Sequence, residues 1–456
     1  MKPIPLAANR FPRFYRGGSA IDELRGGATG ASGTFLPEDW VGSTTAAFGS
    51  GDEGLTRLEA GQTLREAIHS DPEGFLGRRH AEAYGDDPAL LVKLLHAGER
   101  LPVHCHPDRD FARHHLGCPW GKTEAWVILA SDVPDPVVHL GFREDMGSGR
   151  LAELVEAQRV EALLTALNTI PVATGDTVLV PAGMPHAIGR GVLLVELQEP
   201  TDFSVLLEWE GFAIDGRAEG HLGLGFDLAL GCVDRAGWSP ARLDRLRSGR
   251  GPARPGAERL FPAEADPFFR AERLRPDPAV SLDAAFSILV VTEGSGQLET
   301  RGGSLVLGRG DTVLVPFAAG PGAVRGRLEA VRCLPPTREA PREPRGTAGR
   351  HRRRHHPVQG GGGARRRWDR NDPRRDPDPL DSRTDRRRAA PGAAAGGGGG
   401  RDRGRPGACS RRPGDRRRGD QHGRDRRAPR PPRPAAGPGD RLARRPGRGR
   451  GGPARR

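Results

Sequence analysis

Residues 175–186 read Gly-Asp-Thr-Val-Leu-Val-Pro-Ala-Gly-Met-Pro-His, and the first seven of them recur unchanged at 310–316. In each copy a Gly-Asp turn leads into a short apolar run that a proline ends, which is typical of a β-strand entering a sheet. An identical heptapeptide 135 residues further along the chain indicates internal duplication. The alternative is that part of the match arises by chance, because Gly-Asp turns and Val-Leu-Val strands are common. We therefore predict two related β-domains.

Short apolar runs bounded by Gly and Pro dominate the first 335 residues, at 90–95, 123–129, 177–180, 192–197, 287–291 and 312–315. They predict an all-β sandwich or barrel. One segment differs, because Leu and Val recur at helical spacing between 151 and 167 without Gly or Pro. This spacing predicts an amphipathic helix inserted between strands, and a shorter helix is expected at 64–69.

Composition divides the chain near residue 340. The chain has 71 Lys+Arg against 58 Asp+Glu, a net charge of +13, and contains 66 Gly and 42 Pro. The positive excess lies after residue 340, where Arg, Gly, Pro, Ala and Asp leave almost no apolar side chains to fill a core. Such a segment cannot offset its ordering entropy by burial. We predict that 337–456 is a disordered basic tail, either genuine or frame-shifted sequence from G+C-rich DNA.

The sequence disfavours a nucleic-acid-binding, secreted or membrane protein. Arg/Gly-rich segments can bind nucleic acid through phosphates, but Trp368 is the only aromatic residue of the tail on which a base could stack. The first 18 residues lack the apolar core of a signal peptide, and no stretch approaches 18 apolar residues. The five cysteines form no Cys-x-x-Cys pair. We expect a cytoplasmic protein with no membrane or nucleic-acid partner; its oligomeric state is not indicated.

Histidines and a glutamate near three of the predicted strands can form a metal site. His104 and His106 are two residues apart, so on an extended strand their imidazoles point to the same face. Glu124 begins another strand, and His186 ends the segment quoted first. Three neutral imidazoles and one carboxylate suit a divalent ion such as Zn²⁺. The alternative is a polar strand face with His186 as an ordinary turn residue.

The spacings Gly-x5-His-x-His and Gly-x5-Pro-x-Gly-x2-His resemble the two metal motifs of the cupin superfamily. The longer segments 91–108, 121–126 and 181–189 resemble type I mannose-6-phosphate isomerase (phosphomannose isomerase), as do 37–43 and 196–202. Gly121-Lys122-Thr123-Glu124 is the most specific of these. The resemblance implies a cupin-type jelly roll. Together with the repeat and the predicted helix, it leads us to expect a catalytic domain at 1–256 with a helical insertion near 151–167. A second cupin-like domain is expected at 257–336, and it should bind no metal because no histidine follows the second heptapeptide within that domain.

The resemblance also implies a function. The ligands carried over to this sequence are His104, His106, Glu124 and His186, which would bind one zinc per chain. The implied activity is aldose–ketose isomerisation of mannose 6-phosphate and fructose 6-phosphate, so the expected partner is a small sugar or sugar phosphate. The reaction passes through a cis-enediol, whose developing charge a metal stabilises.

Three further residues are candidates for catalysis. Lys122 is one of only three lysines in an Arg-rich chain, and an arginine could not act as a base. Asp202 would assist proton transfer, orient a hydroxyl or cap a turn. Leu206 stands where the family has an arginine, and Arg217 is the predicted replacement unless it is an ordinary surface arginine. Leu206 also leaves open another or unphosphorylated sugar, or a non-catalytic sugar-binding cupin.

Overall fold

A computed structural model of the chain describes residues 1–27, 34–247, 249 and 251–337. The prediction of a disordered tail therefore falls, from residue 338 onward, outside the described residues. The strands are β1 (Ile4–Pro5), β2 (Glu38–Val41), β3 (Leu91–His96), β4 (His104–Cys105), β5 (Glu124–Ser131), β6 (Val137–Phe142), β7 (Leu167–Pro171), β8 (Thr177–Val180), β9 (His186–Ile188), β10 (Val192–Gln198), β11 (Val205–Leu206), β12 (Gly251–Arg254), β13 (Ala257–Arg259), β14 (Arg270–Leu274), β15 (Ala279–Leu282), β16 (Ser287–Thr300), β17 (Gly303–Gly308), β18 (Thr312–Val315) and β19 (Gly322–Leu334).

The helices are short and lie mainly between strands. They are α1 (Ala20–Leu24), α2 (Leu64–Ser70), α3 (Pro72–Leu76), α4 (Arg78–Tyr84), α5 (Arg109–Phe111), α6 (Ser148–Glu156), α7 (Val160–Ala166), α8 (Gly216–Glu219), α9 (Phe226–Ala229) and α10 (Pro240–Leu246). Within the described ranges, no helix has the length and apolar character needed to cross a bilayer.

The described residues form three sheets, and every pairing between the named strands is antiparallel. The first five-stranded sheet has the order β2-β3-β10-β5-β8, and the second has the order β11-β4-β9-β6-β7. A nine-stranded sheet runs β1-β18-β16-β19-β14-β13-β12, with β15 added on β19 and β17 on β16. The predicted all-β class is confirmed.

One apolar core joins the three sheets. Val92 and Leu94 of β3, Leu140 of β6 and Ile288 of β16 belong to one cluster of buried side chains. The Leu-Val-Lys-Leu-Leu-His run of β3 is buried at all six positions, as expected of a strand covered on both faces. A charged residue inside that run, Lys93, must therefore find its partners in the interior.

The helical insertion is two helices, α6 and α7, rather than the single predicted helix. The break falls at Gln158, whose backbone has a φ of 47°. Its side-chain amide donates to the Val155 carbonyl, and its Oε1 accepts the backbone N–H groups of Trp209 and Glu210. The bonds to Trp209 and Glu210 stabilise the kink. They could not be predicted from the spacing of apolar residues within the insertion.

The repeated heptapeptide has the same local structure in both copies. Each opens on a glycine with positive φ, 94° at Gly175 and 89° at Gly310, and continues as a buried four-residue strand. The threonine that begins each strand donates from Oγ1 to a leucine carbonyl 3.0 Å away. The division of the chain at residue 256 stays a prediction, since β12, which precedes it, already pairs within the nine-stranded sheet.

Candidate metal centre

Two of the predicted ligands lie side by side on neighbouring strands of the second sheet. His104 of β4 lies directly opposite His186 of β9, and cross-strand partners project on the same face. His106 is the residue directly after β4, and its backbone carbonyl accepts the Gly183 N–H at 2.7 Å. One ligand nitrogen from each imidazole lies within 4.8 Å of the other two. The structure thus brings the three predicted histidines together.

Backbone carbonyls set the tautomer of each imidazole. The Nδ1 atoms of His104, His106 and His186 lie 2.8, 2.6 and 2.8 Å from the carbonyl oxygens of Pro102, Phe203 and Met184. A carbonyl oxygen can only accept, so each Nδ1 carries the proton and donates it. Each Nε2 is left with a lone pair, the arrangement found in metal-bound histidines.

Glu124 closes the group from the first sheet. Its Oε1 lies 3.0 Å from His106 Nε2, and its Oε2 lies 3.6 Å from His186 Nε2. Trp126, two residues along β5, donates from Nε1 to Oε2 at 3.3 Å and so orients the carboxylate. The two histidine Nε2 atoms are buried without a hydrogen-bond donor. Lone pairs on nitrogen and oxygen that converge in this way fit a cation between them.

The electrostatics keep these groups in the form that binds a metal. Burial, followed by the positive charge of Lys122, lowers the pKa of His106 to about 3. Burial and the neighbouring imidazoles also lower the pKa of His104, and burial lowers that of His186. Burial would raise the pKa of Glu124, but His106 and Lys122 hold it well below its usual range. At neutral pH the set is three neutral imidazoles and one carboxylate.

Lys122 lies beside this carboxylate. Its Nζ is 3.2 Å from Glu124 Oε1, and the residue is only 4% exposed. The backbone N–H of Lys122 donates to the Pro107 carbonyl at 3.0 Å. A Cβ added at the preceding Gly121 would lie 2.7 to 2.8 Å from the backbone at 107–109. Only glycine allows that close approach, so Gly121 helps to hold Lys122 and Glu124 next to the histidine segment.

A second charged group lines the same pocket from the first sheet. Lys93 Nζ lies 3.5 Å from Glu38 and 3.4 Å from Glu196, and 4.8 Å from the centre of the Trp40 ring. Burial would lower the pKa of Lys93, but the two carboxylates raise it, so this lysine stays charged. Burial and the charge of Glu124 raise the pKa of Glu196 to about 7 despite Lys93. Glu196 therefore binds a proton more readily than an ordinary glutamate does.

Asp202 and Arg217 lie in different places. Both oxygens of Asp202 accept from the guanidinium of Arg13. Arg217, at the start of α8, donates to the Glu156 carbonyl at 3.2 Å and lines a separate pocket between α6 and α9. The structure does not bring Arg217 to the pocket of Lys122 and Glu124. Its position gives no support to the prediction that it replaces the family's arginine, because α8 holds it against the helical insertion.

Sequence reasoning missed Arg13, Lys93, Glu38 and Glu196 as residues of the pocket. For Lys93 a signal existed, since its retention among so many arginines is the argument that singled out Lys122. Arg13 carried no such signal, because one arginine is inconspicuous in this chain. Leu206, which stands at the family's arginine position, lies opposite His104 in the β4–β11 pairing and is buried.

Similarity to curated proteins covers part of the chain. No protein-family profile matches it. A mannose-6-phosphate isomerase of Streptococcus mutans is 35% identical over 127 residues, which are 27% of this chain and 38% of that protein. Mannose-6-phosphate isomerase ManA of Bacillus subtilis is 32% identical over 118 residues, 26% of this chain and 36% of that protein. The matches thus span little more than a third of the length of these relatives.

Similarity to solved structures extends further. The mannose 6-phosphate isomerase of Bacillus subtilis superposes with a TM-score of 0.59 at 22% identity, over 73% of this chain and 99% of that one. This chain has the fold of the mannose-6-phosphate isomerases. A mannose 6-phosphate isomerase bound with zinc and yttrium gives a TM-score of 0.57 at 16% identity, over 74% of this chain and all of that one. The isomerase fold expected from the family resemblance is confirmed.

Proposed function

We propose that the chain is a zinc-dependent mannose-6-phosphate isomerase, which interconverts mannose 6-phosphate and fructose 6-phosphate through a cis-enediol. The observation that carries the proposal is the buried group of three imidazoles, two of which, His106 and His186, direct Nε2 at the Glu124 carboxylate. Lys122 Nζ lies 3.2 Å from the same carboxylate. The similarity to mannose-6-phosphate isomerases in sequence and fold supports it. We place the site in the predicted catalytic domain, 1–256, and assign no metal to 257–336.

His104, His106, Glu124 and His186 would hold one zinc per chain. When bound, zinc supplies Lewis-acid stabilisation of negative charge on the two oxygens of the reacting carbons. The chain excludes water from this place, since all four side chains are at least nine-tenths buried. Charge that develops there is stabilised more strongly than it would be in water.

Lys122 would carry the proton between the adjacent carbons. Its side chain is buried, and its one ion-pair partner among the described residues is Glu124. A carboxylate whose charge is shared with a bound cation holds an ammonium less firmly, which frees Lys122 to act as a base. Lys93, kept charged by Glu38 and Glu196, would instead act as a fixed cation for sugar oxygens.

A second candidate substrate is an unphosphorylated sugar. Leu206 supports it, because a buried leucine opposite His104 offers no charge to a phosphate at the position where the family has an arginine. The two candidates share the metal site and the base and differ only in how the far end of the sugar is bound.

A substrate panel tests the proposal. The full chain is assayed for ketose formation from mannose 6-phosphate, glucose 6-phosphate and mannose, beside Lys122→Arg, which retains the charge and cannot act as a base. We expect turnover of mannose 6-phosphate, and a loss of roughly 100-fold or more in Lys122→Arg with unchanged zinc content. Turnover of mannose alone would select the second candidate. No ketose from any sugar in zinc-loaded protein, or full turnover by Lys122→Arg, would contradict the proposed reaction or the proposed base, respectively.

A further inference from the structure

Arg13 lines the pocket from the segment that joins β1 to β2. It is the only arginine among the described residues that lines the pocket shared by Lys93, His104, Lys122 and Glu124. Its segment is fixed by backbone bonds, since the Arg13 N–H donates to the Phe35 carbonyl at 2.7 Å and the nearby Phe14 carbonyl accepts the Ala213 N–H at 3.1 Å. The pocket therefore contains a guanidinium, although not the one that the sequence indicated.

Asp202 holds that guanidinium in one orientation. Nη1 donates to Oδ2 at 3.0 Å and Nη2 donates to Oδ1 at 3.1 Å, a two-point contact that fixes the plane of the group. Oδ2 also accepts the Phe48 N–H at 3.1 Å. The Arg13 guanidinium carbon lies 5.7 Å from the Phe11 ring centre and 5.9 Å from that of Trp40. These contacts leave little freedom to reorient.

The contacts with Asp202 leave part of the guanidinium unused. Arg13 Nε is buried without a hydrogen-bond acceptor, and the nearest recorded carboxylate oxygen, on Glu38, is 3.8 Å away. Burial would lower the pKa of Arg13, but Asp202 and Glu38 raise it, so the group is permanently charged. A rigid cation with an unsatisfied N–H, on the pocket that Lys122 and Glu124 also line, is suited to an anionic oxygen.

Asp202, by contrast, is poorly suited to act on a sugar. Burial would raise its pKa, but Arg13 and then Lys93 lower it, so the carboxylate is a weak base. Both of its oxygens already accept hydrogen bonds from protein groups. Arg13 therefore offers its charge to a ligand, whereas Asp202 fixes the position of Arg13.

We infer that Arg13 contacts an anionic oxygen of the sugar phosphate and takes the place of the arginine absent at Leu206, while Asp202 is a positioning residue that holds Arg13. The inference rests on the proposed function. The oxygen belongs either to the phosphate or to the enediolate, and kinetics distinguish the two. Loss of a phosphate contact mainly raises KM, whereas loss of an enediolate contact mainly lowers kcat.

The test compares Arg13→Ala with Arg217→Ala, an arginine deletion outside the pocket, in zinc-loaded full chain. We expect kcat/KM for mannose 6-phosphate to fall about 100-fold in Arg13→Ala and to stay within twofold in Arg217→Ala, with equal zinc content. Arg13→Lys, which retains charge but not the planar fork, covers the case that Arg13→Ala does not fold, and it should also lose at least 10-fold. A folded, zinc-loaded Arg13→Ala or Arg13→Lys variant within threefold of wild type would overturn the inference.

A double-mutant cycle tests the role given to Asp202. Asp202→Asn should lower kcat/KM about 10-fold in the wild-type background and add nothing to Arg13→Ala, since its effect passes through Arg13. An equal loss in both backgrounds would show that Asp202 acts independently and would overturn its positioning role.

Binding of a non-isomerisable sugar phosphate, glucitol 6-phosphate, separates this inference from the proposed function. If the wild-type chain turns over no sugar phosphate yet binds glucitol 6-phosphate at least 10-fold more tightly than Arg13→Ala does, the proposed function fails and the Arg13 site stands. If the wild type turns over mannose 6-phosphate while Arg13→Ala matches it in both turnover and binding, only the inference fails.

Discussion

Glu38 shows how a single buried residue is stabilised in this pocket. It accepts hydrogen bonds from Trp40 Nε1 at 2.6 Å and from the Tyr15 hydroxyl, and it lies 3.5 Å from Lys93 Nζ. Burial alone would raise the pKa of Glu38, but Lys93, Arg13 and the two hydrogen bonds lower it to about 2. A carboxyl group whose pKa is lower in the folded state than in the unfolded state stabilises the fold at pH values above its pKa in the unfolded state.

Glu38→Gln is therefore expected to lower the free energy of unfolding by about 3 kcal/mol at pH 7, from a pKa difference of about 2.5. The difference from wild type should narrow as the pH falls from about 4.5 towards 2, where the wild-type carboxylate becomes protonated. Denaturant titration of metal-stripped protein across that range measures it. Glu153→Gln, at an exposed ion pair with Arg150, serves as the control and should change little. A gap that stays constant with pH would show that the ion pairs of Glu38 do not set its stability.

The elements differ in how far the sequence specifies them. The strands predicted at 177–180 and 312–315 are confirmed residue for residue, because a glycine turn and a proline define each copy. The insertion was predicted as one helix and is two, since the amide contacts of Gln158 with a loop fifty residues away decide the break. The spacing of apolar residues indicates which face of a helix or strand is buried. It does not indicate a contact from a distant part of the chain that interrupts the helix.

The two copies of the heptapeptide offer a matched test of the glycine turn. Both glycines have a φ near 90° that strains any other residue. A Cβ at Gly175 would find its nearest neighbour, Arg273 Nη2, at 3.8 Å, whereas one at Gly310 would collide with the Leu24 carbonyl oxygen. We expect Gly175→Ala to cost about 1 kcal/mol and Gly310→Ala clearly more, as measured by thermal unfolding. Equal shifts in melting temperature would mean that backbone strain alone, without the collision, determines the cost.

The N-terminal segment links the pocket to the nine-stranded sheet. Ile4 and Pro5 pair with Leu314 and Val313 of β18, and the Leu6 N–H donates to the Thr312 carbonyl. Seven residues later the same segment supplies Arg13 to the pocket. The histidine motifs predicted that the three imidazoles lie together, and they do, because β4 and β9 are neighbouring strands of one sheet. Arg13 could not be predicted, since only the tertiary path of this segment places it there.

The requirement for zinc is tested by titrating zinc into metal-stripped full chain, with metal content and isomerisation of mannose 6-phosphate measured on the same samples. We expect no turnover without metal, a rise in proportion to added zinc, and saturation at about one zinc per chain. His186→Ala, which removes one imidazole of the site, should bind zinc far more weakly and stay inactive. Full turnover in protein shown to contain no metal, or saturation unaffected by His186→Ala, would contradict it.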